Sequence, residues 1–73
     1  MRRRPRGLSQ VATAVEAATI YAEVKADAAE LPQDRRARYV RDALALHGLD
    51  PVQAVRAVYW LRRGRKGDGW RTF

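Results

Sequence analysis

The sequence has no cysteine, one serine and one histidine among its 73 residues. The missing thiols exclude a disulfide scaffold and any zinc site built on cysteine. A nucleophile, a base and a residue to orient them must cooperate in one pocket for covalent catalysis. So few hydroxyls and imidazoles leave little from which to assemble such a set, and no enzymatic activity is predicted. Long apolar runs are also missing, and no segment approaches the roughly 18 residues of a membrane span. Arg2, Arg3 and Arg4 precede an apolar stretch as in a secretory signal, but Glu16 interrupts that stretch, which is Ala and Thr rather than Leu. The chain therefore reads as soluble and cytoplasmic. Runs of β-branched and aromatic residues of strand type are absent as well.

Acidic residues are scarce too. Eight Asp and Glu stand against fifteen Lys and Arg, for a formal charge of +7 and a pI near 11.1. Thirteen of the fifteen cations are Arg, and Ala, also thirteen, dominates the apolar set. Arg offers a planar fork of donors matched to phosphate and carboxylate. A GC-rich genome would produce the same bias toward Arg and Ala. Ala favours helix. A chain this short buries only about 60% of the surface it exposes when unfolded, so long helices, a partner or self-association are expected to supplement a thin core.

The residue order predicts an all-α domain of three helices, one long helix and a shorter helical hairpin, between basic flexible termini. Residues 1–7 form a basic arm with nothing to bury. Residues 8–31 carry two apolar stripes at three- and four-residue steps, Leu8, Val11, Val15, Ala18 and Ala22 beside Ile20, Val24, Ala28 and Leu31. As one helix this segment would be about 36 Å long. Pro32 breaks it. Residues 33–47 predict a second helix with Ala37, Val40, Ala43, Leu44 and His47 on one side. Asp34–Arg38 and Arg38–Asp42 are possible i,i+4 pairs on it. Gly48 suits the left-handed position after that helix, with Leu49 as the accompanying apolar contact. Asp50-Pro51-Val52-Gln53 supplies an N-cap, a first-turn Pro and a capping Gln. The third helix is predicted over 51–63, with Val52, Val55, Val58, Tyr59 and Leu61 inward. Val15 and Val55 read as core positions where Asp would be severely destabilising. Residues 64–73, GRKGDGWRTF, read as a flexible basic tail.

Charge partitions unevenly: +4 over 1–7, −3 over 8–31, +1 over 32–50 and +5 over 51–73. The excess sits at the two ends. Gln53, Arg56, Trp60 and Arg63 share one helical face, and Arg62, Arg65, Lys66 and Arg71 continue it. Arg35, Arg38 and Arg41 add a strip on the second helix. These residues, with Arg2, Arg3 and Arg4 as an arm like the minor-groove arms of DNA-binding domains, predict phosphate contacts. Trp60, Trp70 and Phe73 are candidates for stacking on exposed bases; Trp60 fits equally at the edge of the core. Residues 40–60, with Ala43, Leu44, Gly48, Leu49 and Asp50 about the turn, resemble a helix-turn-helix. The resemblance implies DNA reading by the third helix, although Val55 stands where a polar reader would be expected.

The predicted function is thus non-enzymatic nucleic-acid binding, with DNA favoured over RNA, as in a small regulator or accessory factor of phage or plasmid type. The competing class is a helical protein-interaction module. In either case Leu8, Val11, Val15, Ala18 and Ala22 would form a homodimer or partner interface. An amphipathic membrane peptide fits less well, because the longest helix is acidic. No cofactor or small-molecule substrate is implied. Gly64, Gly67 and Gly69 match no phosphate-loop spacing. Glu23, Asp27 and Glu30 lack the imidazole that a metal site would favour, and His47 is an ordinary residue for a helix end.

Overall fold

The computed structural model describes residue 11 and residues 13–72. Among these the protein is all-α, with α1 (Ala14–Ala28), α2 (Gln33–Ala45), α3 (Pro51–Arg62) and a short 3₁₀ turn over Gly69–Thr72. The three helices have 15, 13 and 12 residues, or about 22, 20 and 18 Å at ~1.5 Å per residue. No strand occurs among the described residues.

α1 begins at Ala14 rather than residue 8. The cause is a capping box. The Thr13 hydroxyl accepts from the Glu16 amide at 3.1 Å, and the Glu16 carboxylate accepts from the Thr13 amide at 3.3 Å. Two otherwise orphan donors are satisfied there, which fixes the start. At its other end α1 tightens, with Glu30 donating to Asp27 and Leu31 to Ala28. Arg36 reaches back from α2 to the Leu31 and Ala29 carbonyls at 2.9 and 3.2 Å. That guanidinium supplies donors to a helix end short of them. The helix is therefore well short of the predicted 36 Å, and the three helices are nearly equal.

The turn from α2 to α3 follows its local chemistry. Gly48 adopts φ 76, and the Leu49 amide bonds the Leu44 carbonyl at 3.0 Å. Asp50 accepts from the Gln53 amide at 2.9 Å while the Gln53 side chain accepts from the Asp50 amide. The same left-handed closure ends α3. Gly64 has φ 73, and Arg65 donates to the Trp60 carbonyl at 3.1 Å.

Residues 64–72 are not the flexible tail that their composition predicts. The 3₁₀ turn packs on α3, and Trp70 is wholly buried. Gly69 permits this approach, since a Cβ there would lie 2.5 Å from Cη2 of Trp60. The Arg71 carbonyl accepts from Arg56 at 3.2 Å, and the Arg71 guanidinium donates to the carbonyl of Val11. The turn thereby joins α3 to the segment ahead of α1. Burial of one large indole compensates for ordering a Gly-rich segment.

The core lies between α1 and α3, joined by Leu44 of α2 and by Leu49 of the turn that follows it. It contains Val11, Ala14, Ala17, Val24, Leu44, Leu49, Ala54, Ala57, Trp60 and Trp70. α2 packs on α1 and only lightly on α3. Two predicted faces are rotated. On α3 the inward residues are Ala54, Ala57 and Trp60, whereas Val52 and Tyr59 are 57% and 51% exposed. On α1 the second stripe turns inward, with Val24 and Ala28 buried, and Val15 of the first is 59% exposed. Small residues facing small residues let two backbones approach closely, and the two tryptophans then close one end of the core. Val and Tyr on both helices would hold them apart. On α2, Ala37 is exposed and Leu44 alone is fully buried. Asp42 pairs with its neighbour Arg41 at 3.9 Å instead of with Arg38. Both side chains are well exposed, so this pair contributes little.

Candidate nucleic-acid interface

The outward face of α3 carries Val52, Arg56, Tyr59 and Arg63, at steps of four, three and four residues. All are exposed. Arg62 flanks this face, and Arg65 and Lys66 extend it beyond the Gly64 turn, likewise exposed. Asp68 is the single carboxylate between residues 51 and 73. An open groove of about 440 Å³ runs beside the end of α3, with Val15 and Leu61 on its floor and Arg65, Lys66 and Asp68 at its rim.

Three of the arginines are held in place. Arg56 donates to the Arg71 carbonyl. Arg62 lies over the Tyr59 ring with its guanidinium carbon 5.9 Å from the centroid. Arg65 lies over the Trp60 ring at 5.3 Å. A guanidinium resting on an aromatic face keeps its charge, and its restricted position means that less rotamer freedom is lost when an anion arrives.

Several predicted site residues lie elsewhere. Trp60 is 8% exposed and Trp70 not at all, so neither presents a ring to a base. Both fill the core that the small residues leave open. Gln53 is half-buried, and its side chain is engaged in the α3 capping box. Arg71 is half-buried; it is held over the Trp70 ring at 4.4 Å and bonded to Val11. Its donors go to the chain itself rather than to a surface ligand. Arg35 and Arg38 are exposed, but they share an open depression with Asp34 and Asp42, which offsets their charge. Arg2, Arg3, Arg4, Leu8 and Phe73 lie outside the described residues.

The predicted partner stripe is divided. Val11 is buried in the protein's own core, whereas Val15 and Ala22 are exposed and Ala18 is half-exposed. Ala18, Ala22 and Ala26 face an open groove of about 490 Å³ whose far side is Val58 of α3. The residue that sequence reasoning missed at the basic face is Tyr59. Its place among Val52, Val55 and Val58 made it look apolar and inward. The signal that could have placed it is Ala54-x-x-Ala57-x-x-Trp60, a second stripe at the same period.

Among the described residues no group of His, Asp or Glu is arranged to hold a metal ion, and no helix is long and apolar enough to cross a membrane. Fold and site together define a small all-α domain with one strongly basic helical face. Comparison of the sequence with protein-family models, with curated proteins and with solved structures found no match.

Proposed function

We propose that this chain binds nucleic acid without catalysing a reaction on it, and that α3 is the contacting element. One observation carries this reading: Arg56, Arg62, Arg63, Arg65 and Lys66 are all exposed along one helix and its closing turn, with Asp68 the only carboxylate between residues 51 and 73. Binding of this kind draws its free energy from phosphate neutralisation and counterion release. The arginines Arg2, Arg3 and Arg4 serve as an auxiliary arm. DNA is favoured as the ligand, in a regulatory or accessory role.

The test is affinity for duplex DNA measured against salt. Five phosphate contacts give a log–log slope of about −4.5. Replacing Arg62 and Lys66 with Ala removes two of them and flattens the slope by about 1.8. No binding to duplex or single-stranded DNA at low salt, or binding indifferent to salt, would overturn the proposal.

A second reading, association through α1, is favoured by the 59% exposure of Val15 beside the Ala18–Ala22–Ala26 groove. A second copy or a partner helix could cover that face. Sedimentation equilibrium at high micromolar concentration tests self-association, and a strictly monomeric mass refutes it.

A further inference from the structure

The basic face of α3 contains an element that phosphate binding alone does not use. Tyr59 is 51% exposed and sits at the middle of the face, one turn from Arg56 and one turn from Arg63. Residues three and four apart on a helix have Cβ atoms about 5–6 Å apart, so arginine side chains flank the ring on both sides along the helix. Arg62 already lies over it at 5.9 Å. Among the described residues the other rings near this end, Trp60 and Trp70, are buried.

We infer that Tyr59 is a stacking platform for an unpaired base, so that the ligand of this face is a single strand. The inference rests on the nucleic-acid reading above. A paired base in a duplex has its faces covered by its neighbours. An unpaired base offers a free π-face, and a ring flanked by cations matches a base flanked by phosphates. Charge complementarity thus selects a polyanion for this apolar centre. Tyr39 provides the internal contrast. It is also exposed, at 37%, but Asp34 and Asp42 share its depression with Arg35 and Arg38, so the charge around it is balanced and does not favour a phosphate chain.

The experiment compares a labelled short oligothymidylate with a duplex of the same length, at one low salt concentration, for the wild type and for Y59A, Y59F, Y59L and Y39A. Loss of one base–aromatic stack weakens binding by about 5- to 150-fold. Y59A and Y59L should show that loss on the oligothymidylate and less than about twofold on the duplex. Y59F, which keeps the ring, and Y39A should stay within about twofold of wild type on both. Y59L keeps apolar bulk at a half-exposed position, so a folding defect in Y59A does not disable the test. The inference is overturned if Y59L and Y59A bind the single strand as wild type does. It is equally overturned if they lose strand and duplex alike. Those results leave salt-dependent binding, and with it the proposed function, intact. Absence of wild-type binding to either ligand overturns both.

Discussion

Truncating Trp70 to Ala tests whether residues 64–72 belong to the folded core. The side chain has no exposed surface. A ring of this size buries about 150–250 Å², and at ~25 cal/mol per Å² its removal costs about 4–6 kcal/mol as an upper bound. Large-to-small aromatic substitutions in other cores cost about 3–5 kcal/mol. A chain of this length has a total stability of roughly 4–11 kcal/mol. W70A should therefore remove between about a quarter and all of that stability. Further losses follow locally, because the neighbouring Arg71 receives Arg56 and bonds Val11. Phe at the same position separates packing from hydrogen bonding. The Trp70 indole nitrogen is buried without a protein partner, so W70F gives up some volume but also removes an unsatisfied donor worth about 1–3 kcal/mol. It should retain most of the stability. Urea denaturation followed by far-UV circular dichroism measures both variants. A W70A midpoint close to wild type, less than about 1 kcal/mol away, would show that the terminal turn is a loose appendage and would refute the packing argument.

Further outcomes follow from the same structure. V15D, at a position 59% exposed, should shift stability by no more than about 0.5 kcal/mol in a thermal melt, although its place in an apolar stripe suggests a core residue. A57L inserts bulk where Ala57 has no exposed surface; it should cost about 1–3 kcal/mol or more, and a neutral result would contradict the close approach of α1 and α3. T13A removes the hydroxyl that accepts from Glu16 and should cost about 1 kcal/mol, with fraying of α1 visible in amide hydrogen exchange.

Different parts of this molecule are legible in its sequence to different degrees, and the reason lies in the range of the interactions. The α2–α3 turn is readable because Gly48, Asp50 and Gln53 act within a few residues of themselves. The start of α1 is written just as locally, in Thr13 and Glu16, but the spacing of Leu8 and Val11 runs through it and hides it. The inward faces are another matter. Single-residue hydrophobicity ranks Val52 and Tyr59 above Ala54 and Ala57, and the fold reverses that order because α1 presents Ala14 and Ala17 on its own inward side. No window along one helix contains that information. Trp70 stands in an aperiodic, Gly-rich stretch, where a buried anchor and a loose aromatic look alike. The basic residues of the candidate interface were readable as charge, since thin domains keep arginine outside. The aromatic among them was not.

The bond from Arg71 to the carbonyl of Val11 spans 60 positions of the chain. A contact of such long range must close a loop of about 60 residues before it returns any free energy. Trp70 and Arg71 lie some 60 residues after Val11, so during synthesis the α1 surface waits for them. Until then the nascent chain displays the unfilled end of its core to its surroundings. Completion of the core is therefore gated by Trp70 and Arg71, and chaperone contact would be concentrated in the interval before they arrive.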